Sequence, residues 1–199
     1  MSIITTELVR LDADLGSTTT DVITALAGLV HGAGRASSTS LLADAALARE
    51  AQNPTGVPGR VAIPHCRSEA VTEPTLAFAR LSRPVNFGGP DGDSDLVFLI
   101  AAPEGGGKTH LKILSKLARA LVRGDFIDRL RSAATADDIV AAVTDVVGEA
   151  GVEKQADQPA AAPAPAPGKN VTRIVAVTAC PTGIAHTYMA ADALTLNAQ

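Results

Sequence analysis

The chain contains few cysteines, and their positions exclude a cysteine-based metal site. Its 199 residues include only Cys66 and Cys180, which lie far apart and form no metal-ligand spacing. Isolated cysteines of this kind indicate free thiols in a reducing compartment. We therefore expect a cytoplasmic protein that holds no metal ion.

The chain also lacks long hydrophobic runs and an excess of basic residues. Its densest apolar stretches, LVFLIAA (96–102) and ITALAGLV (23–30), are under half the ~20 residues needed to span a bilayer. The opening residues, MSIITTELVRLDADLGS, show no signal-peptide pattern. The formal net charge is −4. We expect no membrane insertion and no nucleic acid among the partners.

A segment rich in alanine and proline divides the chain. Residues 149–170 include QPAAAPAPAPG, which favours extended polyproline II and behaves as a spacer. Residues 1–148 are long enough for one substantial core, whereas 171–199 are fewer than the ~40 residues that usually fold alone. We expect one domain (1–148), a linker (149–170) and the incomplete start of a second domain (171–199).

Helical and strand-like patterns are mixed in residues 1–148. The apolar positions that share one face of a first predicted helix are Val22, Ile23, Leu26, Leu29 and Val30. A second helix is predicted in 37–52, before Pro54. Strands are predicted in VAIPH (61–65, ending at Pro64 and His65), TLAFARLSRPVNF (75–87) and DLVFLIAA (95–102).

Three more helices are predicted before the linker. They lie at about 109–122, near DFIDRLRSA (125–133) and in TADDIVAAVTDVVG (135–148). The last one opens with Thr135 and Asp138 in capping-box spacing. The whole pattern predicts an α/β fold, a three-layer sandwich in which a mixed sheet is flanked by helices.

The stretch LIAAPEGGGKTH (99–110) is similar to a nucleotide-binding P-loop, since it lies between a predicted strand and a predicted helix. Ala102 replaces the first glycine of that motif, and Pro103 removes a backbone N–H that would bind phosphate. The other predicted strands end without the carboxylate that would help to hold Mg²⁺. A P-loop protein is therefore the less favoured alternative, and Lys108 is then a solvated residue of the first helical turn.

Two histidines and an arginine explain more of the pattern. His65 ends a predicted strand, His110 begins the helix after the glycine-rich loop, and Arg49 ends the second helix. Functional residues of α/β sheets gather at such positions. A neutral imidazole is a nucleophile near pH 7, and an arginine can hold phosphoryl oxygens. The three residues predict a phosphoryl-transfer site.

The sequence resembles a known family at these residues. The stretches AREAQNPTGVPGRVAIPHC (48–66) and VFLIAAPEGGGKTHLKILSKLARAL (97–121) are similar to the A domain of the fructose and mannitol class of the bacterial sugar phosphotransferase system (PTS). The resemblance implies that His65 is the phosphorylated histidine, with His110 and Arg49 lining the same site. Lys108 stands where this family commonly has small or polar residues.

The end of the chain resembles a second PTS component. IVAVTACPTGIAHTYMAADAL (174–194) is similar to the start of a fructose-type B domain, a Rossmann-like α/β unit. The resemblance implies that Cys180 becomes a phosphocysteine in a complete B domain. Thr182, His186 and Thr187 are then supporting loop residues. Outside these motifs, Cys66 is predicted to be a packed free thiol and His31 a capping or exposed residue.

The two resemblances together imply a phosphorelay. His65 would accept a phosphoryl group from the phosphorylated carrier protein HPr and pass it to Cys180 of a complete B domain. Fructose would then be phosphorylated during uptake through a membrane C domain, whose association places the chain at the inner face of the membrane. No cofactor or metal is implied. A regulatory module that senses phosphorylation is the main alternative.

Overall fold

Six strands form one mixed sheet in the computed structural model, which describes residues 2–105, 115–121 and 123–148. The strands are β1 (Val9–Ala13), β2 (Gly56–Val57), β3 (Val61–Ala62), β4 (His65–Arg67), β5 (Thr75–Val85) and β6 (Ser94–Ala102). Their order is β1-β5-β6-β3-β2, and β4 also pairs with β6. β6 is parallel to β3 and β4 but antiparallel to β5, so the sheet is mixed as predicted.

The described helices are α1 (Thr19–Gly32), α2 (Thr39–Gln52), α3 (115–121), α4 (Gly124–Ser132) and α5 (Ala136–Gly148), with one 3-10 turn at Thr6–Leu8. Three of them, α1, α2 and α5, begin at side-chain caps. The Ser38 hydroxyl accepts the Leu41 N–H at the start of α2. The predicted capping box of α5 is confirmed, because Asp138 N donates to Thr135 Oγ1 at 3.2 Å and Thr135 N donates to Asp138 Oδ2 at 2.9 Å.

The core lies on both faces of the two central strands. Consecutive residues of β6, from Leu96 to Ala102, are all buried, as are the first five residues of β5. Successive side chains of a strand point to opposite faces of the sheet. A strand whose consecutive residues are all buried is therefore covered on both faces. α1 packs on α2 and on β5, while α4 packs on α5 and α5 on β1. The predicted α/β fold with a sheet between helices is confirmed.

The strand that carries His65 differs from its prediction. It was predicted to end at Pro64 and His65, but the structure divides it into β3 and β4, and His65 is the first residue of β4. Val61 pairs with Leu96 and His65 with Ile100, so both pieces keep one register along β6. The interruption falls at Ile63 and Pro64, where proline has no N–H to donate. His65 is therefore built into the sheet rather than placed at its end.

Some elements were missed, and others lie outside the description. β1 and β2 were not predicted, because β1 is short with a half-exposed pattern and β2 has only two residues. The predicted helix at about 109–122 is described only over 115–121, where it is helical. The linker (149–170) and the second unit (171–199) lie outside the described residues. None of the helices that the structure describes is long and apolar enough to cross a membrane.

Candidate phosphoryl-transfer site

His65 is held by its own strand. Its Nδ1 lies 2.9 Å from the carbonyl oxygen of Ile63. A carbonyl oxygen only accepts hydrogen bonds, so Nδ1 carries the proton in the neutral ring. The lone pair of the neutral imidazole is therefore on Nε2. The half-buried ring is thus fixed in the tautomer whose unprotonated nitrogen is Nε2, the atom that is able to act as a nucleophile.

The surroundings of His65 favour its neutral form. Burial lowers the pKa of His65 from its ordinary 6.5, the hydrogen bond with Ile63 opposes this change, and the positive charge of Arg49 lowers the pKa further. The imidazole is therefore neutral at pH 7, which is the form that attacks phosphorus.

Arg49 lies close enough to His65 for its charge to act on the ring. It belongs to the last turn of α2, and its Nη1 donates to the carbonyl oxygen of Asn53 at 3.1 Å. It forms no ion pair with any carboxylate of the described residues. The structure thus brings together two of the three residues predicted for the site. A guanidinium in this setting retains N–H groups for an incoming phosphoryl group.

Glu50 and Thr55 are features of this region that sequence reasoning missed. Glu50 is only 8% exposed and Thr55 only 5%. Glu50 Oε1 accepts the Thr55 N–H at 2.8 Å, and Oε2 accepts the Thr55 hydroxyl at 2.6 Å. Burial raises the pKa of Glu50, while the Thr55 hydrogen bonds and the charge of Arg49 oppose that rise. The sequence signal for Glu50 is its position in the last turn of α2, which ends at Gln52 just before Asn53 and Pro54.

The remaining predicted site residues are not described. His110 and Lys108 lie in the segment 106–114, and Cys180, Thr182, His186 and Thr187 lie beyond residue 148; all six fall outside the described residues. The glycine-rich part of the P-loop alternative, from Gly106 to Thr109, falls in the same segment. The roles of these residues stay predictions.

Two residues expected to have no role in transfer are in ordinary structural positions. Cys66 is a buried free thiol, as predicted, with its Sγ 4.0 Å from the carbonyl oxygen of Leu42. Burial raises the pKa of the Cys66 thiol to about 12, so it remains protonated. His31 is exposed, and its Nδ1 lies 2.7 Å from the carbonyl oxygen of Ala36.

Comparison with protein families places residues 2–146 in one of them. These residues match the family described as "Phosphoenolpyruvate-dependent sugar phosphotransferase system, EIIA 2". The match spans the described α/β unit and includes both His65 and Arg49. It agrees with the resemblance found in the sequence and favours it over the P-loop alternative.

Curated relatives and solved structures agree with the family match. The chain is 38% identical over 177 residues to the 2-O-alpha-mannosyl-D-glycerate-specific EIIABC component of Escherichia coli K12, covering 87% of this chain and 25% of that protein. It is 37% identical over 175 residues to the fructose-specific EIIABC component of Bacillus subtilis, covering 87% and 27%. The chain therefore spans about a quarter of the length of these relatives.

A solved structure extends the comparison to the fold. The crystal structure of the nitrogen regulatory protein IIA-Ntr from Neisseria meningitidis matches with a TM-score of 0.66 and 31% identity, over 71% of this chain and 97% of that one. The sequence match and the α/β architecture point to the same family. This chain belongs to the EIIA type 2 family of the phosphoenolpyruvate-dependent sugar phosphotransferase system.

Proposed function

We propose that the chain is the phosphoryl carrier of a fructose-type PTS, with His65 as the residue that is phosphorylated. The observation that carries the proposal is the hydrogen bond from His65 Nδ1 to the Ile63 carbonyl oxygen, at 2.9 Å. It makes Nε2 the nucleophilic atom. Arg49 adds a cation beside the ring, and the chain's family supplies the reaction class.

The chemistry needs only the two protein side chains. The Nε2 lone pair of His65 attacks the phosphorus of a phosphohistidine on the donor, which we propose is phosphorylated HPr. The donor's N–P bond breaks, and its electron pair stays on the departing imidazole. Positive charge then develops on the His65 ring, where the Ile63 carbonyl oxygen stabilises the Nδ1–H. Arg49 neutralises charge on the phosphoryl oxygens, so no nucleotide or metal is needed.

His110 completes the proposed site as a second imidazole beside the phosphoryl group. Lys108 precedes it by two residues and adds positive charge to the surface on which a donor would dock. Both proposals rest on the sequence resemblance alone. Phosphorylation of His110→Ala at a reduced rate, with label still on His65, would support the assisting role.

The next acceptor in the proposed relay is Cys180. The alignments with the two EIIABC relatives cover 87% of this chain, more than residues 1–148 alone can supply, which supports a B-domain segment after the linker. A linker between the two domains would raise their local concentration, which reaches the order of millimolar for a short flexible tether, and this favours repeated hand-over without tight binding. Through a membrane C component, as the names of those relatives indicate, the chain would act at the cytoplasmic face of the membrane.

A regulatory phosphorylation-sensing module is the second candidate. It is supported by the 31% identity to the nitrogen regulatory protein from Neisseria. Transfer of label from phosphorylated chain to a complete fructose-type B domain, and from there to fructose, separates the two functions. A carrier completes both steps, whereas a sensor retains the label. Presenting mannosylglycerate and mannitol beside fructose tests the sugar.

Labelling with phosphorylated HPr tests the central claim. We expect one phosphoryl group per chain, labile in acid and stable in base, with ³¹P and ¹⁵N NMR placing it on Nε2 of His65. His65→Ala should abolish the label and Cys180→Ser should leave it intact.

The matched control is His31→Ala, which removes an exposed histidine whose ring also contacts a carbonyl oxygen. It should be labelled like the wild type. Label that persists in folded His65→Ala would contradict the proposal, as would heat exchange with Mg-ATP in isothermal titration, which the P-loop alternative requires.

A further inference from the structure

The end of α2 contains a buried carboxylate with no counter-ion at contact distance among the described residues. Glu50 is 8% exposed, and both of its oxygens accept hydrogen bonds from one residue, Thr55. Burying a carboxylate costs free energy, and an apolar pair of similar size often serves stability as well. The benefit of this pair is local geometry, because two bonds to one residue fix the turn that joins α2 to β2.

That turn leads directly to His65. The Thr55 carbonyl oxygen accepts the Ile63 N–H at 3.1 Å, and the Ile63 carbonyl oxygen accepts the Nδ1–H of His65 at 2.9 Å. The residue after Ile63 is Pro64, whose ring fixes its own backbone φ. Ile63 is thus held at its N–H by Thr55, and its carbonyl oxygen selects the tautomer of His65.

The same turn also holds Arg49. Arg49 precedes Glu50 in α2, and its Nη1 donates to the carbonyl oxygen of Asn53, inside the segment that the Glu50 and Thr55 bonds close. The acceptors of the arginine and of the histidine therefore both depend on the position of Thr55. A shift of this residue would move the nucleophile and the cation relative to one another.

We propose that Glu50 and Thr55 are positioning residues for phosphoryl transfer, which align Nε2 of His65 with the guanidinium of Arg49 through the turn 50–55 and Ile63. This inference rests on the proposed function of His65. Neither residue touches the phosphoryl group. Their removal changes the rate of transfer and the tautomer of the ring, and leaves donor docking unchanged.

The first test compares three threonine variants. Thr55→Val keeps the shape and removes the hydroxyl, Thr55→Ser restores a hydroxyl, and Thr75→Val removes the hydroxyl of another buried threonine, which bonds to Glu73. Misplacement of reacting groups by about 1 Å costs up to about 100-fold. We expect Thr55→Val to slow single-turnover transfer about 10-fold, and the other two to stay within about twofold. The HPr concentration at half-maximal rate should not change.

The second test reads the ring itself. In ¹⁵N NMR of the unphosphorylated chain, wild-type His65 should show one neutral tautomer with Nδ1 protonated. Thr55→Val should show a mixture, and Thr55→Ser should recover the wild-type spectrum. Glu50→Leu is similar in size to glutamate and removes both oxygens that accept the Thr55 hydrogen bonds. It should resemble Thr55→Val, and it serves as the test variant if Thr55→Val does not fold.

Two failures are distinguishable. If the wild-type chain is not labelled at His65, the proposed function is wrong, whatever the tautomer. If the wild type is labelled while folded Thr55→Val or Glu50→Leu keeps both the wild-type rate and the single tautomer, the positioning role is overturned.

Discussion

Arg80, in β5, and Arg49, in the last turn of α2, differ in how their guanidinium groups are bound. Arg80 donates twice to the carboxylate of Asp12 and also to the carbonyl oxygens of Leu130, Arg131 and Ala133. Arg49 donates to one backbone carbonyl oxygen and, among the described residues, has no carboxylate at ion-pair distance. The guanidinium of Arg80 is fully engaged by groups of the fold, whereas that of Arg49 keeps N–H groups for a ligand near the His65 ring.

The backbone of β1 around Asp12 is irregular, and this irregularity directs the Asp12 carboxylate toward Arg80. β1 and β5 lose register between Arg10 and Ala13, and Asp12 within this irregularity has φ +51°, a conformation that aspartate tolerates better than most residues. Irregular strand positions redirect side chains. Here the redirected carboxylate binds Arg80, so the hydrogen bonds of this arginine join β1, β5 and the end of α4. The charge of Arg49 instead acts on the His65 imidazole.

The largest expected effect separates the two arginines by activity. Arg49→Gln should slow phosphoryl transfer to His65 about 100-fold, because one cationic group that stabilises transition-state charge is lost. Its free energy of unfolding should fall by less than about 1 kcal/mol, the value of one hydrogen bond. Quenched single-turnover labelling measures the rate. Arg80→Gln, assayed at a temperature where it is folded, should stay within about twofold of the wild type; equal losses in both variants would end the comparison.

The next effect separates them by stability. Arg80→Gln should lower the free energy of unfolding by about 2–3 kcal/mol, because the carbonyl groups at the end of α4 lose a charged donor. Urea denaturation measures this change. The matched control is Arg83→Gln, which removes an ion pair with Asp14 whose side chains are 59% and 52% exposed. Exposed pairs contribute little, so this change should be under about 0.5 kcal/mol. A similar loss of stability in both variants would show that the burial of the Arg80 side chain does not increase its contribution.

The pH dependence of the transfer rate tests whether the charge of Arg49 acts on His65. The pKa of His65 is lowered by burial and by Arg49, so the transfer rate should fall with decreasing pH at a midpoint below 6.5. In Arg49→Gln the midpoint should rise toward 6.5, since a nearby positive charge is removed. The folded state binds this proton less readily than the unfolded chain, so the contribution of His65 to stability is present above pH 6.5 and is lost as pH falls through the folded pKa. NMR titration of the His65 ring measures this midpoint in the wild type and in Arg49→Gln. An unchanged midpoint in the variant would show that the charge of Arg49 does not act on His65.

The smallest effect concerns Cys66, the residue that follows His65 in the chain. Cys66→Ala should leave transfer within about twofold, because the thiol is buried and its pKa is about 12. In the Cys180→Ser background, Cys66 should react with a thiol reagent about 1000-fold more slowly than an ordinary cysteine, in keeping with its lower thiolate fraction. Rapid modification of the folded chain would show that this side of the strand opens to solvent.

Much of the fold was predictable because its signals are local. Ser38 and Thr135 caps, the apolar face of α1 and the continuous apolar residues of β6 each depend on neighbours within a few positions. For the proposed site, the sequence points to the motif around His65 and to the arginine at the end of α2, whose roles stay predictions. Glu50 and Thr55 were missed, because a glutamate in a last helical turn is ordinarily exposed. Only its packing against the turn to β2 buries it.

The amino-acid sequence by itself determined where α2 and α5 start, that β6 is buried on both faces, and which histidine and arginine belong to the family motif. The tertiary structure decided that β5 runs antiparallel to β6, that His65 lies within a strand, and that Arg80 is bound by Asp12 and the end of α4. The reason is physical. Caps and hydrophobic patterns act between residues a few positions apart, whereas strand order, burial and a charge's partner depend on segments tens of residues away that meet only when the chain folds.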